Sequence, residues 1–184
     1  MSARLYLVRH GRAAAGFGES ADPGLDDVGY EQAEAVAKEL AARGPLPILT
    51  SPLKRAQETA APLAKLWRCA PRIEDAVSEI PSPTDNLQER VAWLRKFMAG
   101  SWRNATPALA QWRESVIAAL LNIGEDTAIF SHYIAINVAA GAATGDDRVV
   151  VFSPDNASVT VLENEDGRLR LIEKGREASL TKVN

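Results

Sequence analysis

Apolar residues along the chain alternate between short solid runs and stripes with helical spacing. Leu5-Tyr6-Leu7-Val8 is apolar on both faces, as in an inner strand of a covered sheet, so a strand is predicted over Arg4 to His10. Gly11 to Pro23 carries three glycines and many alanines and reads as a loop. Asp26 or Asp27 then caps a helix whose apolar stripe is Ala33, Val36, Ala37, Leu40 and Ala41, and Gly44-Pro45 stops it. Leu46 to Thr50 is a second short strand. Ser51-Pro52 is a helix start, with serine as cap and proline in the first turn, and that helix runs toward Trp67 with a kink expected at Pro62.

Arg72 to Ala76 reads as a third strand. Glu79-Ile80-Pro81-Ser82-Pro83 is a loop, because each proline drives its predecessor out of helical geometry. Leu87, Val91, Leu94 and Met98 line one face of a further helix. Thr106-Pro107 starts another, carrying Trp112, Val116, Ala119, Leu120 and Ile123. Thr127 to Ser131 is a fourth strand that ends at His132, and a helix follows from about Tyr133 to Ala143. Val149 to Phe152, Ser158 to Leu162 and Arg168 to Ile172 read as strands, the last two as a hairpin around Asn164-Glu165-Asp166-Gly167. Strands alternating with helices predict an α/β layered fold, in which ligands sit beyond the carboxyl ends of the strands.

Composition narrows this picture. With 184 residues, 46% hydrophobic and 24% charged, the chain suits one globular unit, and a single domain over residues 1–184 is expected. The net charge of −3 exerts no global pull toward nucleic acid or an anionic membrane, so any anion site has to be local. Cys69 is the only cysteine, which excludes an internal disulfide framework and a thiolate metal cluster. Met1-Ser2-Ala3-Arg4 leads into only four apolar residues, too few for a signal-peptide core. The apolar stretch Ala128 to Ala143 is interrupted by Ser131, His132, Asn137 and Gly141 and does not read as a membrane span. A cytoplasmic protein is expected.

The chemistry concentrates on one rim. His10 and His132, the only histidines, stand at the ends of predicted strands, and Arg55 stands one turn into the helix after another. With Arg9 they make two guanidiniums and two imidazoles, an anion cradle in which arginine's planar fork suits a phosphoryl group. The second histidine can add a donor. The first can instead be a nucleophile that forms a phosphohistidine, the arginines neutralising the transferring oxygens and a nearby carboxylic acid protonating the leaving group.

Four blocks carry a family resemblance: LYLVRHG, LDDVGYEQAEAVAKEL, LTSPLKRAQETA and AIFSHYIAINVAAGAATG. In this order they resemble the histidine phosphatase superfamily, also called phosphoglycerate mutase-like, and within it the small bacterial-type phosphatases. The resemblance implies a three-layer α/β/α sandwich with a mostly parallel mixed central sheet. It implies His10 as nucleophile, a phosphate pocket of Arg9, His10, Arg55 and His132, and Glu79, in AVSEIPSP, as general acid. The acid-phosphatase branch, with an aspartate directly after the second histidine, does not fit, because that neighbour is Tyr133. Arg12-Ala13-Ala14 after the tripeptide, and Tyr133 where a glycine is usual, depart from the pattern at positions that touch substrate choice. Arg12 and Tyr133 are accordingly candidate substrate-binding residues.

The resulting expectation is a phosphatase needing neither metal nor cofactor, acting on a small phosphomonoester or a phosphoprotein, as monomer or homodimer, with no nucleic-acid or membrane partner. Two alternatives stand beside it: a mutase that returns the phosphoryl group to its own product, and a non-catalytic module that binds a phosphorylated ligand. Plainer readings compete residue by residue. His10 can be a core histidine bonded to a carbonyl, His132 a helix cap, and Arg55 a surface partner of Glu58 or Glu79. Glu79 has Glu74, Asp75 and Asp85 as rivals. Phe17 and Trp102 can line the pocket but fit plain packing better, Trp93 and Trp112 read as core, and Asp146-Asp147 reads as a solvated turn.

Overall fold

The protein is described by a computed structural model covering residues 2–179. Met1 and residues 180–184, the ends of the expected domain, lie outside the described residues. Among the described residues six strands form one sheet in the order β3-β2-β4-β1-β5-β6. β1 (Ser2–Arg9), β2 (Ile48–Thr50), β3 (Arg72–Ile73) and β4 (Thr127–Ser131) are mutually parallel. β5 (Val159–Glu165) pairs antiparallel with β1, and β6 (Arg168–Glu173) pairs antiparallel with β5 at the sheet edge.

Helices cover both faces, and the alternation along β1 shows why. Leu5 and Leu7 point into one core with Leu49 and Ile129, against α4 (Pro107–Leu121) and α5 (Tyr133–Thr144). Tyr6 and Val8 point into the other with Ile48, Ala128 and Phe130, against α1 (Asp27–Ala41) and α2 (Lys54–Trp67). The solid apolar run of β1 is therefore two interleaved faces, each burying its side chains. α3 (Leu87–Met98) packs more loosely at the edge, with no fully buried residue. The α/β/α sandwich and its mostly parallel mixed sheet match the expected fold.

Local signals explain most element ends. Asp26 is the N-cap of α1 and accepts from the Gly29 N–H, and Thr106 caps α4 ahead of Pro107. Asp166 and Gly167, both at positive φ, form the two-residue turn between β5 and β6. α2 runs through Pro62. Trp93 and Trp112 pack against the core, and Trp102 is buried edge-on to Phe97.

Three expectations are corrected. α2 begins at Lys54, not at Ser51-Pro52. Leu53 holds its N-cap position, and Ser51 Oγ accepts the Leu53 N–H ahead of the helix. β3 is only two residues long, because Asp75–Val77 tightens into a 3-10 turn capped by Glu74. Val149–Phe152 is not a strand. Asn137, buried in the middle of α5, accepts the Val151 and Phe152 N–H groups through Oδ1, and the Val149 N–H goes to Gly100 O. A side chain takes the place of a neighbouring strand. Among the described residues no helix is long and apolar enough to cross a membrane.

Candidate active site

β2, β4 and β1 are neighbours, and each ends by delivering one polar residue to the same edge. His10 follows β1, Ser51 follows β2 and His132 follows β4. Their positions are pinned by main-chain bonds: His10 N–H to Ser131 O at 3.1 Å and Ser51 N–H to Phe130 O at 3.0 Å. Arg55, in the first turn of α2, reaches into the same edge, as does Glu79 from the loop after the 3-10 turn. That loop is tied down where Ser131 Oγ donates to Val77 O at 2.7 Å.

The cluster is almost closed to solvent: His10 is 7%, Arg55 6% and His132 0% exposed. His10 Nδ1 lies 2.7 Å from Gly11 O, and Arg55 Nε donates to His10 Nε2 at 3.2 Å. A carbonyl only accepts and a guanidinium only donates, so the proton of His10 sits on Nδ1 and Nε2 keeps its lone pair. Burial, with His132, Arg9 and Arg55 adding to it, pushes the His10 pKa well below 6.5. Burial followed by Arg55 and Arg9 does the same for His132. Both rings, 5.3 Å apart, are neutral at neutral pH.

Arg55 Nη2 pairs with Glu79 Oε2 at 3.2 Å, so of the two partners considered for Arg55 it takes Glu79, and the pair joins a buried guanidinium to a partly buried carboxylate. Glu58 instead accepts the Leu25 N–H. Glu79 Oε2 is also 3.5 Å from His132 Nδ1, which makes no hydrogen bond. His132 occupies the N-cap position of α5, yet its ring caps nothing and its Nε2 lies 2.7 Å from Ser51 Oγ. Glu74, Glu79's near neighbour in sequence, spends its carboxylate on the Ala76 N–H.

Arg9 is held from the flank. Its Nη1 donates to Pro154 O at 2.9 Å, its buried Nε has no hydrogen-bond partner, and its guanidinium lies over the Tyr133 ring. The Tyr133 hydroxyl meets Ser153 Oγ at 2.9 Å. Arg12, in contrast, turns outward to pair with Asp26 and stands apart from the hydrogen-bonded cluster. Phe17 lies under Arg90 of α3. Asp146 and Asp147 pair with Arg148 and Arg103 around a surface hollow of about 540 Å³ at the far end of α5, remote from the histidines.

Supporting residues complete the geometry. Thr59 Oγ1 accepts the Gly11 N–H and donates to Arg55 O, coupling the turn after His10 to the helix carrying Arg55. Its signal in the sequence was its place one helical turn after Arg55. Asn156 Nδ2 holds His10 O at 3.1 Å, and nothing in the local pattern pointed to it. Gly11 serves close approach: a Cβ there would sit 2.6 Å from Gly29 O in the first turn of α1.

This arrangement can surround an oxyanion with two guanidiniums while offering it an imidazole lone pair. Known proteins share this fold. A mycobacterial glucosyl-3-phosphoglycerate phosphatase superposes with TM-score 0.71 at 21% identity, covering 97% of this chain and 100% of that one. Phosphoserine phosphatase from Entamoeba histolytica, in complex with 3-phosphoglyceric acid, gives 0.74 at 22% over 95% and 97%. At such identities the likeness is one of fold. A PE-PGRS family protein of Mycobacterium tuberculosis is 43% identical over 80 residues, which are 40% of this chain but 14% of that protein. A probable phosphoglycerate mutase of Photorhabdus laumondii is 29% identical over 161 residues, 77% of this chain and 75% of that one. The model of the histidine phosphatase superfamily, branch 1, matches residues 5–176, nearly the whole described chain, and the protein belongs to that family.

Proposed function

We propose that the protein is a metal-independent phosphatase that hydrolyses a phosphomonoester, on a small molecule or a protein, through a covalent phosphohistidine on His10. The observation that carries this reading is the His10 tautomer: Gly11 O holds the proton on Nδ1 and leaves the Nε2 lone pair facing Arg55 inside the cluster. In the first step the Nε2–P bond forms as the bond from phosphorus to the leaving oxygen breaks, and Glu79 gives that oxygen its proton. In the second, water attacks phosphorus, the Nε2–P bond breaks, and the proton of the water returns to Glu79. Arg9 and Arg55 supply the positive charge that the transferring oxygens need, which is why the reading calls for no metal. Glu79 is favoured as the acid because its carboxylate reaches both Arg55 and His132.

The test is hydrolysis of p-nitrophenyl phosphate with chelator present, by the wild type and by His10→Ala. The expected result is turnover by the wild type and a loss of at least about 10³-fold in the variant. Wild-type turnover that survives in His10→Ala, or that vanishes with chelator, would overturn it. Phosphate binding with no turnover of this ester in either protein would leave two readings, a narrow phosphoprotein specificity or a binding module without the chemistry. The relative named as a probable phosphoglycerate mutase favours one second reading, return of the phosphoryl group to the product. Isomerisation of a phosphorylated hydroxy acid, activated by a bisphosphorylated primer, would establish it.

A further inference from the structure

Ser51 is fully buried and has no part in the steps above. A serine hydroxyl has one proton to give and lone pairs with which to accept. Ser51 Oγ accepts the Leu53 N–H at 3.2 Å and lies 2.7 Å from His132 Nε2. Among the described residues it has no other hydrogen-bond partner. If His132 Nε2 carried the ring proton, it too would donate to Oγ. The hydroxyl proton would then be buried with nothing to receive it. If Nε2 is unprotonated, Ser51 donates to it and every group at that end of the ring is satisfied.

The other end of the ring agrees. His132 Nδ1 is buried, makes no hydrogen bond and lies 3.5 Å from Glu79 Oε2. In the resting site, where Glu79 is ion-paired with Arg55, a lone pair on Nδ1 would face a carboxylate oxygen and repel it, whereas an N–H presents the opposite partial charge. Hydroxyl accounting on one side and the carboxylate on the other select the same tautomer.

We infer that Ser51 is a positioning residue that sets the tautomer of His132, donating to Nε2 so that the proton stays on Nδ1 and faces Glu79 and the phosphoryl oxygens. The tautomer follows from the contacts alone, while its catalytic consequence rests on the phosphatase reading. Two neutral imidazoles then have complementary tasks. His10 turns a lone pair into the site, and His132 turns an N–H into it. With the proton on Nε2, His132 would confront a phosphoryl oxygen with a lone pair and destabilise the charge it is placed to support.

Because the chain holds only two histidines, long-range ¹H–¹⁵N spectra of protein labelled with ¹⁵N-histidine resolve both rings. At neutral pH the wild type should show protonated Nδ1 and pyridine-type Nε2 on both, with His10→Ala assigning the signals. In Ser51→Ala the His132 nitrogens should move toward the Nε2–H form, the His10 pattern should persist, and kcat should fall by about 10- to 100-fold, as for outer partners that orient metal-bound histidines. Ser51→Thr, which keeps the hydroxyl, should restore both. A wild-type His132 protonated on Nε2, or unchanged His132 shifts in Ser51→Ala, would overturn the inference. If Ser51→Ala does not fold, the wild-type spectrum decides alone. An expected spectrum in a wild type that hydrolyses no phosphate ester would leave the tautomer standing and remove the phosphatase reading.

Discussion

Lowering the pH from 7 to 5 is expected to destabilise the protein through its histidines, in a direction the structure sets and up to a limit that proton linkage sets. The chain has two, and both are buried beside two guanidiniums. Burial first, then the neighbouring cations, pushes both well below the ordinary 6.5 that the unfolded chain retains. Below 6.5 the unfolded state therefore binds protons that the folded state refuses. The stability from burying neutral rings is complete above that pH and is lost progressively as the pH falls. A ring that titrates only in the unfolded chain contributes a slope of about 1.4 kcal/mol per pH unit, or about 2 kcal/mol between pH 7 and 5. Two rings give at most about 4 kcal/mol, which for a chain of this length lowers Tm by at most about 16 °C. Asp26 and Asp146 do not contribute here: hydrogen bonding, to the Gly29 N–H and to Arg148 respectively, holds each below 3.8, so their stabilisation is lost only at lower pH. The assay is urea unfolding across this pH range for the wild type and His132→Gln, whose slope should be about half as steep because one buried imidazole is gone. A flat wild-type profile, or a His132→Gln variant with the full slope, would refute the reasoning.

Three further outcomes are expected. In Gly11→Ala the new Cβ meets the Gly29 carbonyl, so the turn after His10 must shift, at a cost of about 1–3 kcal/mol and with a loss of kcat; Gly124→Ala, whose Cβ meets nothing within 4 Å, is the control, and equal melting temperatures would refute the clash. Glu79→Gln should slow hydrolysis of an alkyl phosphate by about 10²- to 10⁴-fold and affect an activated aryl phosphate or a phosphoramidate far less, since a nitrophenolate leaves without a proton and a phosphoramidate nitrogen takes its proton from solvent; equal losses would remove Glu79 as the acid. Asn137→Leu should destabilise by about 2–5 kcal/mol, because the Val151 and Phe152 N–H groups lose their acceptor, and an unchanged denaturation midpoint would show that another group receives them.

The order of strands and helices, the two-faced apolar run of β1 and the caps at Asp26 and Thr106 were legible because each depends on a few consecutive residues. So were the blocks around Arg9-His10, Arg55 and His132, which carry the family resemblance. Glu79 could not be separated from Glu74, Asp75 and Asp85 by pattern, because a carboxylate in a loop carries no periodicity. Its place depends on the Ser131 tie to Val77 O and on where Arg55 reaches. Ser51 looked like a helix cap because a serine before a proline has that local meaning, and only the approach of β4 to β2 brings His132 to its hydroxyl. Val149–Phe152 has the composition of a strand, since apolar β-branched residues report burial without saying what receives their N–H groups. Asn137, remote in sequence, receives two of them. Local residue patterns dictate most of the elements, the buried faces of β1 and the residue types that carry the chemistry. That β2, β4 and β1 end side by side is not written in any local pattern, because strand order is set by long-range pairing and packing. That adjacency gives His10, Ser51 and His132 their partners and protonation states.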